Sequence, residues 1–302
     1  MISTNSRPCG RFAPSPTGPL HFGSLIAALG SYLEARSRGG RWLVRIEDVD
    51  RPRCRPEYAD DILRTLEAFG FEWDGEVIHQ SRRSARYREV LEELKRQGVV
   101  YPCGCTRAEL AAAPAGADGA PVYPGTCRAG LPPGKQARAW RLRVTGAIDF
   151  VDLVQGAQQQ DLAREVGDFV LLRADGLFAY QLAVVVDDAD QGVDHVVRGA
   201  DLIFSTARQI FLQRLLGLPT PQYAHLPVAV DTQGAKLSKQ TKAPALDVRD
   251  PVTALVRAAH FLGMQPPACR LASAEFWAWA HENWRLGKVP RAMRLPLLDY
   301  SR

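Results

Sequence analysis

No stretch of this 302-residue chain is both long and apolar; none approaches the roughly 20 residues a helix needs to cross a bilayer. The opening Met1-Ile2-Ser3-Thr4-Asn5-Ser6-Arg7 lacks the apolar centre of a secretory signal. These two absences predict a cytoplasmic protein with no membrane partner. Internal repeats are also missing, which excludes solenoids and propellers. Cysteine is scarce: there are six, and Cys9, Cys54 and Cys269 are scattered as reduced thiols would be. Acidic excess is absent too. The formal charge is +5 and the isoelectric point about 9.0, a mild bias toward polyanions such as nucleic acid. What is present is ordinary: 46% hydrophobic and 24% charged residues, as in a globular protein of roughly one to three domains.

Periodicity sets out the order of elements. Arg11-Phe12-Ala13 reads as the end of a first strand, and residues 14–20, rich in proline, as a turn. From Gly23 the pattern is helical: Leu25, Ile26, Leu29, Tyr32 and Leu33 share a face, and Gly39-Gly40 stops it. Trp42-Leu43-Val44-Arg45-Ile46 is a second, buried strand. Strand, turn, helix and strand make a βαβ unit. Further helices are expected from Pro56 to Gly70 and over residues 84–97. Between 101 and 138 regularity fails, and 111–119 reads as a flexible loop. Residues 140–144 and 148–154 resemble a hairpin. Residues 169–172 and 193–197 read as strands, 182–186 as a buried apolar run, 205–216 as a helix capped by Ser205, and 223–230 as the last strand. Two tail helices follow, near 252–262 and 274–284, the second with Trp277 and Trp284 on one face. The organisation is an α/β domain in two halves, 1–100 and 166–230, around an insertion at 101–165, with a mobile loop and helical tail at 231–302.

Two fragments carry phosphate chemistry. A helix N-terminus offers unpaired N–H groups and a positive dipole end. The turn before Gly23 sets His21 and the Gly23 and Ser24 amides at such an end. Far along the chain, Lys236-Leu237-Ser238-Lys239 places two ammonium groups beside Gly234, fit to neutralise a triphosphate. Both fragments follow predicted parallel strands, at the edge where such sheets bind ligands. A second cluster is Cys103-Gly104-Cys105 with Cys127: three thiolates that one further donor would complete as a tetrahedral zinc site. Between Cys105 and Cys127 the only acidic residues are Glu109 and Asp118. Asp187, Asp188 and Asp190 form an acidic stretch, either a support for a ribose or for Gln181, or a solvated turn.

The pair of phosphate fragments resembles the two ATP signatures of class I aminoacyl-tRNA synthetases. Arg11-Phe12-Ala13-Pro14-Ser15-Pro16-Thr17-Gly18 and Arg45-Ile46-Glu47-Asp48-Val49-Asp50 narrow the resemblance to glutamyl-tRNA synthetases. Two positions depart from it: Ser24 stands where the general signature has a second His, and Gln240 where the other signature usually has Ser. The resemblance implies a Rossmann-like class I catalytic domain, a zinc-containing insertion and a small helical C-terminal region. It implies ATP contacts from Pro14, Thr17, Gly18, His21, Gly23 and Ser24 on one side and Lys236, Ser238 and Lys239 on the other, with Mg²⁺ accompanying the ATP. His21, Lys236 and Lys239 would stabilise the transition state. Arg11, Phe12, Ala13, Pro14, Ser15, Glu47, Tyr180 and Arg198 match glutamate-binding positions: guanidinium groups for carboxylates, Glu47 for the ammonium, Tyr180 for a hydrogen bond and a wall. Similarity to a truncated relative points to Tyr123 as the fourth zinc donor.

About sixty residues follow Lys239, too few for the anticodon-binding region expected of a full glutamyl-tRNA synthetase. That combination resembles the glutamyl-queuosine tRNA(Asp) synthetase family. Its members activate L-glutamate with ATP without tRNA and esterify it to queuosine in the anticodon of tRNA(Asp). The expectation is a monomer of this kind. An abbreviated enzyme charging tRNA(Glu) and a non-catalytic RNA-binding or amino-acid-sensing paralogue are the alternatives.

Overall fold

The structure is a computed structural model that describes residues 7–231, 234 and 244–297. Strand β1 (Cys9–Phe12) is buried throughout. Helix α1 (Phe22–Ser37) begins where the prolines end, and Gly39, at φ 62°, turns the chain away from it. Strand β2 (Arg41–Ile46) pairs parallel with β1, completing the expected βαβ unit. Helix α2 (Pro56–Ala68) starts with proline at its first position. Strand β3 (Ile78–His79) adds parallel to β2, and helix α3 (Ser84–Arg96) follows.

The chain then leaves the parallel layer. It forms β4 (Val100–Cys103), a single turn α4 (Arg107–Leu110), β5 (Ala139–Leu142), β6 (Ala147–Asp152), β7 (Gly156–Asp161), a second single turn α5 (Leu162–Glu165) and β8 (Phe169–Leu172). Strands β4, β5 and β8 make an antiparallel sheet in that order. The expected hairpin of 140–144 with 148–154 is not formed. β5 pairs with β4 and β8, whereas β6 pairs with β7 and, in parallel, with a later strand. The glutamines of β7 alternate with exposure and carry no apolar signal, so its sequence does not read as a strand.

Helix α6 (Tyr180–Asp190), β9 (His195–Gly199), α7 (Ile203–Leu215), β10 (Gln222–Leu226) and β11 (Val228–Val230) return to the α/β pattern. The buried apolar run at 182–186 is therefore part of a helix. Ser205 is not a cap: α7 already starts at Ile203, running on from a 3-10 turn at Ala200–Leu202, and Ser205 Oγ accepts a bond from Gln181 instead. Pro227 splits the expected last strand into β10 and β11. The tail holds α8 (Pro251–Phe261), α9 (Ser273–Asn283) and β12 (Arg294–Pro296), which pairs parallel with β11.

β9 and β10 run parallel, and β9 lies beside β1. Asp194 staples the seam: its N–H donates to the Cys9 carbonyl at 3.1 Å and its carboxylate accepts the Cys9 N–H at 2.9 Å. Strand side chains alternate between two cores. Trp42, Val44, Val197, Ala224 and Leu226 face α1, α2, α8 and α9, whereas Leu43, Val196 and Tyr223 face α3, α6 and α7. The layout is helices on both faces of a parallel layer. Gly30 permits the contact of α1 with β10, since a Cβ there would lie 2.5 Å from Leu226 Cδ1. Trp277 and Trp284 both reach α1: Trp277 stacks edge-on to Tyr32 at 5.1 Å, and Trp284 donates to Glu34 at 2.9 Å.

Candidate active site

The parallel strands end at one cavity of about 330 Å³. Arg11 and Phe12 close β1 over it, Glu47 follows β2, Arg198 stands one residue before the end of β9 and Leu226 ends β10. This is the carboxyl edge at which parallel sheets bind ligands. Ala13, Pro14, Ser15, Thr17, His21, Gly23, Ser24 and Tyr180 also line it, while Gly18 does not. Lys236, Ser238 and Lys239 lie outside the described residues. The flanks of their segment are described: Val228 and Ala229 line the cavity, and beyond the segment Ala245 bridges to His21, with the Leu246 N–H bonded to the Leu20 carbonyl at 3.0 Å.

At the tip of α1, His21 Nδ1 accepts the Ser24 N–H at 3.4 Å, and Ser24 Oγ accepts the His21 N–H at 3.5 Å. The two residues cap the helix reciprocally. The Ser24 amide is thus occupied by the imidazole, and the proton of a neutral His21 resides on Nε2.

The charged side chains form a buried network. Arg11 donates from Nε and Nη2 to the two oxygens of Asp188, at 3.1 and 3.4 Å. Its Nη1 has no hydrogen-bond partner among the described residues. Arg45, wholly buried, donates to Asp188 at 2.7 Å, to Gln191 at 2.7 Å and to Glu47 at 3.5 Å. Asp187 accepts from Gln80, Arg83 and Tyr87. Asp187 and Asp188 therefore do not lie in a solvated turn: they are 0% and 5% exposed and anchor arginines, whereas Asp190, at the exposed end of α6, meets Arg83 and Arg86. Burial would raise the Asp188 carboxyl, but Arg11 and Arg45 hold it below the usual range. Glu47 behaves differently. Its burial outweighs Arg45 and Arg11 and pushes it up to about 7. Burial also raises the Tyr180 phenol, which stays protonated and able to donate. Two guanidinium groups and one carboxylate in one cavity complement a ligand with two carboxylates and one ammonium.

His225 escapes motif reading, and the roles of Arg45 and Asp188, though both stand in stretches named above, do not follow from the motifs, because their partners lie far away in sequence. The one available signal is a charged residue at a buried strand position, as with Arg45 between Val44 and Ile46 of β2.

Some way off, Cys103, Cys105 and Cys127 bring their sulfurs within 4.8 Å of one another. The Cys105 and Cys127 sulfurs are 3.7 Å apart, close to the ~3.8 Å edge of a tetrahedron with metal–sulfur bonds of about 2.3 Å. The Tyr123 hydroxyl stands 3.4 Å from the Cys103 sulfur and 3.8 Å from that of Cys105. The acidic alternatives are engaged elsewhere: Glu109 with Lys135 and Thr106, Asp118 with Arg208. Burial disfavours the Cys103 thiolate, yet bonds from Tyr123, the Cys105 backbone and Arg141 bring its pKa down to about 7. Arg141 donates to that sulfur at 3.3 Å, and its guanidinium lies 3.8 Å over the Tyr123 ring. The donor set fits zinc.

Among the described residues no helix is long and apolar enough to cross a membrane. Residues 9–275 match the family described as tRNA synthetases class I (E and Q), catalytic domain. The chain is 62% identical to a glutamyl-Q tRNA(Asp) synthetase of Dechloromonas aromatica, over 95% of this chain and 97% of the relative. It is 58% identical to that of Aromatoleum aromaticum, over 94% and 91%. Among solved structures, a glutamate-tRNA synthetase from Elizabethkingia anophelis superposes with a TM-score of 0.78 at 25% identity, covering 95% of this chain and 67% of that one.

Proposed function

From the fact that this chain belongs to the glutamyl-Q tRNA(Asp) synthetase family, within the class I synthetases for glutamate and glutamine, we propose that it activates L-glutamate with ATP, without tRNA, and transfers it to queuosine in the anticodon of tRNA(Asp). The observation that carries the reading is the charge set of the cavity: Arg11 and Arg198 opposite in sign to Glu47, beside the tip of α1. Class I chemistry uses ATP with Mg²⁺ as its substrate.

In this reading the α-carboxylate of glutamate attacks the α-phosphorus of ATP and pyrophosphate leaves. A hydroxyl of the cyclopentenediol then attacks the carbonyl of the mixed anhydride and AMP leaves. The protein's work is positioning and charge stabilisation. Arg11, Arg198 and Tyr180 receive carboxylates, Glu47 holds the ammonium, and Phe12, Ala13, Pro14 and Ser15 shape the wall. Pro14, Thr17, Gly18, His21, Gly23 and Ser24 meet the nucleotide from the α1 side; Lys236, Ser238 and Lys239 meet it from the other. His21, Lys236 and Lys239 stabilise charge as pyrophosphate departs. Cys103, Cys105, Tyr123 and Cys127 hold a structural zinc, which ties an otherwise loop-rich insertion together. In this reading 101–165 is an insertion between the halves 1–100 and 166–230, ahead of the tail 231–302, with its strands β5 and β6 pairing with β8 and β10 of the second half.

Exchange of labelled pyrophosphate into ATP tests the first step. Exchange is expected with glutamate alone, and not with glutamine or aspartate. Exchange that appears only when tRNA is added would contradict the reading.

A further inference from the structure

Behind the wall of the cavity stands a histidine that none of these steps uses. His225 and Thr206 are wholly buried and Asp152 almost so. His225 Nδ1 lies 2.6 Å from Asp152 Oδ2. The other oxygen of Asp152 accepts three backbone N–H groups, from Val154, Gln155 and His225, at 3.0, 2.8 and 3.1 Å. A carboxylate bonded in this way only accepts, so the imidazole proton sits on Nδ1. Nε2 is then a lone pair, and it accepts the Arg198 Nε–H at 3.0 Å.

The rest of the Arg198 guanidinium is fixed as closely. Nη2 donates to Thr206 Oγ1 at 2.8 Å and to the Leu202 carbonyl at 3.5 Å, and Nη1 donates to the Tyr180 hydroxyl at 3.2 Å. That commits four of the five guanidinium hydrogens. The remaining one is on Nη1. Tyr180, having accepted from Arg198, keeps its own O–H to donate. Two donors 3.2 Å apart are thereby offered side by side from residues that line the cavity. A carboxylate meets both. A carboxamide meets one and sets its NH₂ against the other, which leaves a buried donor unpaired.

We propose that His225, locked in one tautomer by Asp152, is a positioning residue that aims Arg198 and thereby sets the preference for a carboxylate over a carboxamide substrate. This rests on the reading of Arg198 as a ligand of the substrate carboxylate. Removing the Nε2 acceptor frees the guanidinium to turn about its side chain. Replacing Asp152 by Asn does the same without emptying the site: the amide donates to Nδ1, forces the proton onto Nε2 and sets two N–H groups against each other.

The test is pyrophosphate exchange by the full chain as its glutamate and ATP concentrations are varied, for His225→Asn, His225→Gln, Asp152→Asn and Arg198→Ala. Loss of a hydrogen bond to a charged group is worth about 10–150-fold. His225→Asn and Asp152→Asn are expected to raise the KM for glutamate by about that factor, with the KM for ATP unchanged and kcat altered less than about threefold. They should also narrow the discrimination against glutamine. His225→Gln can place its amide oxygen where Nε2 was, and is expected to stay within about threefold of the parent. A merely structural histidine would lower thermal stability without this substrate-specific split and without rescue by Gln. If Arg198→Ala leaves the KM for glutamate unchanged, the pocket reading itself fails. If Arg198→Ala raises it while Asp152→Asn and His225→Asn do not, only the present inference falls. Should His225→Asn fail to fold, Asp152→Asn against His225→Gln carries the same decision.

Discussion

Glu47 is the residue whose state should follow pH most directly. Burial pushes its pKa up to about 7, above the unfolded carboxyl, against the pull of Arg45 and Arg11. Its neutral form therefore favours the empty fold at low pH, and that contribution is lost as pH rises through about 7. Binding runs the opposite way, because an ammonium ligand needs the carboxylate. The KM for glutamate should fall severalfold between pH 6 and pH 8, and Glu47→Gln should raise the KM and flatten the profile. A profile that keeps its slope in the Gln variant would remove Glu47 from the site. Lys239→Ala should slow adenylate formation by roughly 10²-fold, the size of losing one charge-stabilising donor; single-turnover formation of the adenylate checks it. At this scale the sequence was readable where neighbours in the chain are neighbours in the site, as with Arg11 through Ser15. It was silent for His225, and for what Arg45 and Asp188 do. A buried charge is explained only by its partner, and Arg45 meets Asp188 across 143 positions of sequence. The same gap hides the burial of Asp187 and Asp188, which by sequence read as part of a solvated turn or as a support for a ribose or for Gln181.

Helices were the elements easiest to foresee. α1, α2, α3 and α8 fall within a residue or two of their expected limits because a glycine follows each and proline opens α2 and α8. Strands of the insertion were harder: β5 pairs with strands about 30 to 40 residues away, β6 pairs in parallel with β10, and β7, its hairpin partner, is a run of polar residues. The tail tryptophans gain a role. Trp284 is 1% exposed and bonded to Glu34 of α1, so Trp284→Ala should cost about 3–5 kcal/mol in chemical denaturation. The insertion depends on its cysteines. Cys105→Ser should lower bound zinc to well under one equivalent by elemental analysis and make the segment around 101–138 sensitive to protease. Unchanged zinc content would refute the site.

At the scale of the whole molecule, the two halves of the parallel layer are joined more by polar links than by an unbroken ladder. Asp194 ties β9 to β1, and Asp188 of α6 holds Arg11 of β1 and Arg45 of β2 together. Arg11, held in this joint by Asp188, also lines the cavity, so the architecture and the pocket share that arginine. The α/β class was legible from the opening βαβ unit; the three-layer arrangement, with the tail packed on α1, needed the tertiary contacts. The central claim concerns the acceptor, and one measurement addresses it: transfer of labelled glutamate to three purified RNAs, tRNA(Asp) with queuosine, tRNA(Asp) without it, and tRNA(Glu). Label is expected on the first alone, lost when the nucleoside is removed from the anticodon. Label on tRNA(Glu), or equal label on both forms of tRNA(Asp), would contradict it.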